Sequence, residues 1–135
     1  MNQIMNQKIK LIFAEDEIET RQNIVAYINN RYNFEIIEAN DGKEAWDAYL
    51  QHEPDVLITD LSMPEMDGLE LIQKIREVDA NLQIIVITAH TEDDKLEIAN
   101  GLNIIDYHVK PLKRNALITS LDKVVERPNR HLDIQ

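Results

Sequence analysis

The chain has 135 residues, 44% of them hydrophobic and 29% charged, which is the composition of a globular protein with a single core. It has no cysteine, which excludes disulfide frameworks and thiolate metal sites and is consistent with the cytoplasm, where we expect it to act. A formal net charge of −11 argues against direct nucleic-acid binding, and no apolar run approaches a membrane span, so we expect no membrane partner.

Short apolar runs alternate with amphipathic segments along the chain. Runs without internal alternation are typical of strands that are buried on both faces of a parallel sheet. They predict strands over residues 8–14, 34–39, 56–59, 83–89 and 104–109. Apolar residues at helical spacing predict helices over residues 18–30, 69–78, 91–100 and 112–125, and one that follows the turn at 40–42. The helix over residues 91–100 is marginal, with only Leu96, Ile98 and Ala99 as apolar anchors.

Five strands that alternate with five helices predict an α/β fold, a doubly wound five-stranded parallel sheet with helices on both faces. In such a sheet the carboxyl ends of all strands lie at one edge, and ligands bind outside that edge. The residues predicted there are Glu15, Asp16, Asp60, Thr88 and Lys110. Three carboxylates, one hydroxyl and one ammonium are thus expected to converge on a single crevice.

These side chains suit one kind of chemistry when they act together. Clustered carboxylates repel one another, and a divalent cation with oxygen ligands, such as Mg²⁺, relieves that repulsion. A carboxylate such as Asp60 can attack a phosphoryl group, whose charge Lys110 and Thr88 can neutralise as cation and hydrogen-bond donor. Taken singly, Glu15 and Asp16 are also typical helix caps. The joint position of all five residues favours a functional site.

The same residues resemble those of a two-component response-regulator receiver domain. The segments that carry the resemblance are Glu15-Asp16, 59–68, 88–89 and 107–111. The segment around Asp60 is the most specific of them. The resemblance implies a flavodoxin-like strand order 2-1-3-4-5 and a receiver domain over residues 8–126, with residues 127–135 as a C-terminal tail or the start of a linker.

The resemblance also implies a phosphoacceptor and a metal site. Asp60 would receive a phosphoryl group from the phosphohistidine of a sensor histidine kinase or from a phosphotransfer protein. Asp16 and Asp60 would ligate Mg²⁺ together with the backbone carbonyl of Ser62, and Glu15 would act mostly through bound water. Glu15 stands where the family most often has Asp, so the outer shell of the metal can differ in this chain.

Three further residues would respond to phosphorylation. Lys110 would contact the phosphoryl group, Thr88 would move towards it, and Tyr107 would turn into the space that Thr88 leaves. The face formed by the fourth helix, the fifth strand and the fifth helix would then change shape and control an output domain, a partner protein or a phosphorylation-dependent homodimer. Such a domain assists only its own phosphorylation and dephosphorylation, so we expect a signalling module and no enzyme.

Two backbone features belong to the resemblance as well. The family usually has a cis bond before the proline that follows the lysine, here Pro111, which is a permitted use of proline. Asn103 stands before the fifth strand at a position where glycine is common. Asparagine tolerates a left-handed backbone better than most residues, so the substitution is compatible with the same turn.

Two other functions fit part of the pattern. Aspartate-nucleophile phosphohydrolases also combine Asp, Mg²⁺, Thr or Ser, and Lys, but they need a second Asp two residues beyond the nucleophile, where this chain has Ser62. Their acidic pair also comes late in the chain, whereas Glu15-Asp16 comes first. The remaining alternative is a receiver-like binding module that is never phosphorylated, and the complete set of site residues argues against it.

Overall fold

The computed structural model describes residues 8–89 and 94–127, in which strands and helices alternate strictly, as predicted. The strands are β1 (Lys10–Ala14), β2 (Glu35–Ala39), β3 (Val56–Asp60), β4 (Gln83–Thr88) and β5 (Asp106–Val109). The helices are α1 (Ile18–Arg31), α2 (Gly42–His52), α3 (Gly68–Arg76), α4 (Asp94–Asn100) and α5 (Arg114–Glu126). Residues 91–93 of the predicted fourth helix and residues 128–135 of the predicted tail lie outside the described residues.

All five strands pair in parallel in the order β2-β1-β3-β4-β5, which confirms the predicted fold and strand order. Helices α1 and α5 cover one face of the sheet, and α2, α3 and α4 cover the other. In β4, Ile84 and Val86 belong to the core under α2–α4, whereas Ile85 and Ile87 belong to the core under α1 and α5. A slip of one residue would send each of them to the opposite face, so burial on both faces fixes the register.

The predicted apolar faces of two helices are longer than the observed ones. Helix α3 ends at Arg76, so Val78, predicted to extend its buried face, is 68% exposed. The Arg76 guanidinium donates to the carbonyls of Leu82 and Leu102, each at 2.8 Å, and this ties the end of α3 to the loops at the amino edge of the sheet. Leu50, which lies at helical spacing from Trp46 on α2, is also mostly exposed.

Strand β5 is shorter than predicted, because it begins at Asp106 instead of residue 104. Asn103 has φ of 65°, the left-handed conformation expected at that position. The Lys110–Pro111 bond is cis, also as the family resemblance implies. Within residues 8–89 and 94–127, no helix combines the length and the apolarity needed to cross a membrane.

Candidate functional site

Three carboxylates meet at the carboxyl edge of the sheet. Glu15 and Asp16 follow β1, and Asp60 is the last residue of β3. Each offers an oxygen, and these oxygens all lie within 4.8 Å of one another. Glu15 and Asp60 are 1% and 6% exposed, whereas Asp16 is on the surface. The structure therefore brings together the three carboxylates that were predicted to meet at the carboxyl ends of the strands. The cluster is open to solvent on the side of Asp16.

The Lys110 ammonium is the cation of this cluster. Its Nζ lies 2.5 Å from Oδ2 of Asp60 and 2.8 Å from Oε1 of Glu15. Burial lowers the pKa of Lys110, but the hydrogen bonds to Asp60 and Glu15 outweigh it and raise that pKa to about 12. Burial is also the main influence on Glu15 and raises its pKa, although Lys110 opposes the shift. Lys110 is thus firmly protonated, and it is shared between two buried carboxyl groups.

Thr88 and Tyr107 lie on the neighbouring strands. Thr88 ends β4 and is 3% exposed. Its backbone carbonyl accepts a hydrogen bond from the Lys110 amide at 2.8 Å, so the two residues are adjacent at the sheet edge. Tyr107 pairs with Val86, two residues further from that edge than Thr88, and its side chain is 44% exposed. The structure therefore places Thr88 at the site and Tyr107 on the outer surface of β5.

The loop over residues 61–67 is held against the end of β3. The Ser62 amide donates to Oδ1 of Asp60 at 3.0 Å. Asp67 forms a capping box with Glu70 at the start of α3, which satisfies amide groups that the first turn of a helix leaves free. The second oxygen of Asp67, Oδ2, pairs with the Lys95 ammonium of α4 at 3.0 Å. The loop is therefore attached to β3, to α3 and to α4.

Two glycines allow backbone segments to touch around this loop. A Cβ built on Gly68 would overlap the carbonyl group of Asp60 and crowd the Cα of Leu61. A Cβ built on Gly42, the first residue of α2, would overlap the carbonyl of Met66, to which the Gly42 amide donates at 2.9 Å. Side chains at these two positions would force the loop out of place.

Arg21 is a residue of the site region whose role the sequence reasoning missed. It lies on α1 among residues of apolar spacing and is 6% exposed. Its Nη1 donates to the backbone carbonyl of Glu15 at 2.6 Å. A charged residue within the core-facing stripe of a helix was the available signal, since such a residue is almost never fully buried without a partner.

The comparison with protein families decides the identity. The response regulator receiver domain family matches residues 11–122. The chain belongs to this family. The resemblance predicted from the site residues is therefore confirmed, and the chain is a module of two-component signal transduction.

Relatives and solved structures agree with this assignment. The receiver domain is 34% identical over 120 residues to a chemotaxis protein CheY homolog of Campylobacter jejuni, with 87% of this chain and 92% of that protein covered. The REC domain of AraT, a response regulator from Geobacillus stearothermophilus, superposes with a TM-score of 0.80 at 40% identity, covering 89% of this chain and 95% of that one. An uncharacterized response regulatory protein of Staphylococcus epidermidis is 31% identical, and the aligned part spans 47% of its length and 87% of this chain.

A second polar cluster joins β5 to α5 in this receiver domain. The Ser120 hydroxyl, which is fully buried, donates to Oδ2 of Asp106 at 2.8 Å and lies 2.7 Å from Nε2 of His108. Because the single hydroxyl proton goes to Asp106, Nε2 of His108 is the donor to Ser120. Lys123 completes the cluster at 3.1 Å from Asp106. Burial lowers the pKa of His108, against the opposing influence of Asp106, so the imidazole is neutral at pH 7.

We expect His108 to make the receiver domain less stable below pH 6.5, the ordinary pKa of histidine. Because the folded pKa lies below the unfolded one, the unfolded chain takes up the proton first, and the free energy of unfolding decreases until folded His108 is protonated too. Because His108 takes up at most one proton, the free energy of unfolding can decrease by at most about 1.4 kcal/mol per pH unit. Urea titrations at pH values on either side of 6.5 measure the loss.

The control for this titration is His108→Gln, whose amide can still donate to Ser120 but does not titrate. Titrating groups away from His108, including Glu15 with its raised pKa, are common to both proteins and cancel in the comparison. Asp106 interacts with His108, but its pKa is lowered from 3.8, so it titrates outside the pH range of this test. The variant is expected to keep more of its stability as the pH falls. Equal losses in the two proteins would show that His108 is not the responsible group.

Proposed function

We propose that this receiver domain accepts a phosphoryl group on Asp60, delivered by the phosphohistidine of a sensor histidine kinase or by a phosphotransfer protein. The observation that carries the proposal is the environment of the Asp60 carboxylate. It is nearly buried, one oxygen contacts the Lys110 ammonium, and it lies within reach of the carboxylates of Glu15 and Asp16. The unit that performs this function is proposed to extend over residues 8–126, followed by the tail or linker at 127–135, and to act in the cytoplasm.

The donor set fits Mg²⁺, which prefers oxygen ligands and commonly takes one or two carboxylates together with waters and a phosphoryl oxygen. Asp16 and Asp60 would hold the ion with the backbone carbonyl of Ser62, and Glu15 would act through a bound water. Three carboxylates face one ammonium here, so an excess of negative charge remains for a cation to neutralise. Bound Mg²⁺ would neutralise charge on the transferred phosphoryl group.

The chain's own residues account for the transfer. A carboxylate oxygen of Asp60 attacks phosphorus, the P–O bond forms, the P–N bond of the phosphohistidine breaks, and the imidazole of the donor leaves with the electron pair. Lys110 is protonated at any physiological pH and would neutralise charge on the phosphoryl oxygens. The amide of Ser62 holds Oδ1 of Asp60, which orients the nucleophile.

The response would spread from Thr88 to the outer surface. Thr88 would move to hydrogen-bond the phosphoryl group, and Tyr107 would turn inward. Exposed apolar side chains on α4 and β5 support a role for this face in binding, since Ile98, Tyr107 and Val109 are each more than 40% exposed. We assign to this face the control of an output domain or partner protein, including a phosphorylation-dependent homodimer. The domain would act as a signalling module that catalyses only its own phosphorylation and dephosphorylation.

Incubation with acetyl phosphate and Mg²⁺, followed by intact-mass measurement, tests the proposal. The native chain is expected to gain the mass of one phosphoryl group, and Asp60→Asn, which keeps the shape but removes the nucleophilic carboxylate, is expected to gain none. Asp106→Asn is the matched control, because Asp106 also pairs with a lysine but lies away from the carboxylate cluster. The proposal is contradicted by a native chain without an adduct or by an undiminished adduct on Asp60→Asn. Steady turnover of a small phosphomonoester would indicate a phosphohydrolase instead.

A further inference from the structure

Arg21 joins two loops at the carboxyl edge of the sheet, beside the three carboxylates. Its side chain is 8% exposed, and its guanidinium is bonded on several sides. Nη1 donates to the carbonyl of Glu15 at 2.6 Å, to that of Ala39 at 3.4 Å and to Oδ1 of Asn40 at 2.8 Å. Nε donates to Oε1 of Glu38 at 2.8 Å. The acidic loop after β1 is thereby attached to the end of β2.

The hydrogen bond from Arg21 to the Glu15 carbonyl can orient two of the carboxylates, because one peptide plane joins Glu15 to Asp16. The carbonyl of Glu15 and the amide of Asp16 belong to the same rigid peptide unit. A hydrogen-bond donor that fixes this carbonyl therefore also fixes the direction in which the Asp16 side chain projects from the backbone. The other side of Glu15 is held too. Its amide donates to the Ala39 carbonyl at 3.1 Å, and its Oε2 accepts from the Glu17 amide at 3.0 Å. The remaining freedom of the Glu15–Asp16 plane is therefore limited by Arg21.

Arg76 provides a comparison within the same molecule. It also donates to backbone carbonyls, those of Leu82 and Leu102 among them, but at the opposite, amino edge of the sheet. Both arginines donate to backbone carbonyl groups, and hydrogen bonds of this kind by themselves explain only a contribution to folding stability. Only Arg21 does so on the peptide that links two of the clustered carboxylates.

We propose that Arg21 is a positioning residue for Mg²⁺, which orients the Glu15–Asp16 peptide and so sets the direction of both carboxylates towards the ion. Groups that hold metal ligands in place commonly change metal affinity when they are lost, although they do not touch the metal. The inference rests on the proposed function, because it concerns the metal of that site. A lysine at position 21 would keep the charge but lose the fork of donors that reaches several acceptors at once.

The test compares Arg21→Lys with Arg76→Lys in the full chain. Calorimetric titration of the unphosphorylated proteins with Mg²⁺ measures Kd, and urea denaturation measures stability. Arg21→Lys is expected to raise the Kd for Mg²⁺ about tenfold, the lower end of the effect of ligand-orienting residues. Its phosphoryl uptake from acetyl phosphate is expected to recover at saturating Mg²⁺. Arg76→Lys is expected to lose stability and keep the Kd of the native chain.

The outcomes separate this inference from the proposed function. An unchanged Kd in Arg21→Lys, or an equal rise in Arg76→Lys, overturns the positioning role and leaves the phosphoacceptor proposal standing. If the native chain binds no Mg²⁺, both fail together. If Arg21→Lys does not fold, Asn40→Ala takes its place, since it removes one acceptor of Nη1 at an exposed residue. A rise in the Kd for Mg²⁺ then supports the inference, and an unchanged Kd overturns it.

Discussion

Gly68→Ala is expected to destabilise the receiver domain by about 3 kcal/mol or more, the range of severe overpacking. The added methyl group would overlap the Asp60 carbonyl group and crowd Leu61. Asp60 cannot retreat easily, because it belongs to β3, which is hydrogen-bonded to strands on both sides. Any relief must come from a shift of the loop that also carries the Ser62 amide. Urea denaturation followed by circular dichroism measures the loss.

Gly101→Ala is the control for this substitution. The nearest atom to a Cβ at Gly101 is the Ile98 carbonyl oxygen at 3.4 Å, which is a contact that a small adjustment accommodates. Its φ is not in the left-handed region, so the variant is expected to change stability by less than about 1 kcal/mol, in the stabilising direction if the turn tolerates it. A Gly68→Ala protein as stable as Gly101→Ala would refute the close approach described here.

Lys110→Met is expected to cost about 3 kcal/mol of folding stability without divalent cations, because it leaves Glu15 and Asp60 buried without their cation. Glu15 is almost entirely buried, and the lysine side chain itself is only 22% exposed. Mg²⁺ is expected to restore more stability to the variant than to the native chain, since the ion no longer competes with an ammonium for the same oxygens. Urea titrations with and without Mg²⁺ measure both effects.

Lys123→Met is the matched control for Lys110→Met. Lys123 also pairs with an aspartate, Asp106, but its side chain is 51% exposed, and pairs of this kind contribute at most about 1 kcal/mol. The loss of folding stability in Lys123→Met is expected to be small and independent of Mg²⁺. Comparable losses in the two variants, or equal stabilisation of both by Mg²⁺, would mean that the buried carboxylates do not depend on Lys110.

The features that follow from simple rules were predictable from sequence. Strands buried on both faces must be apolar throughout, so β3 and β4 were evident. Parallel strands share one carboxyl edge, so the neighbourhood of Glu15, Asp60 and Lys110 followed from the order of elements alone. The first prediction uses the local pattern of apolar residues, and the second uses the order of strands and helices along the chain.

The features that depend on distant backbone atoms were not predictable. Arg21 bonds to the backbone carbonyls of Glu15 and Ala39, and a carbonyl has the same chemistry whatever the side chain of its residue is. The end of α3 was placed too late for a related reason: Arg76 holds backbone of the loops before β4 and β5, and an apolar residue such as Val78 gives no sign of it. The late start of β5 follows the turn at Asn103. Ile104 and Ile105 are apolar like the residues of a strand, so the sequence does not show where the turn ends.

The pair between Lys95 and Asp67 has a consequence for the energy scale of switching. One carboxylate caps α3 with Oδ1 and holds α4 with Oδ2. Partly exposed ion pairs contribute at most about 1 kcal/mol, whereas inverting a two-state population from about 1:99 to 99:1 takes about 5.5 kcal/mol. The tether is therefore too weak to lock α4, since loss of the Lys95–Asp67 pair by itself would change the ratio of two positions of α4 by no more than about fivefold. A transition of that size would need most of its free energy from other contacts, which the proposed function assigns to the phosphoryl group at Asp60.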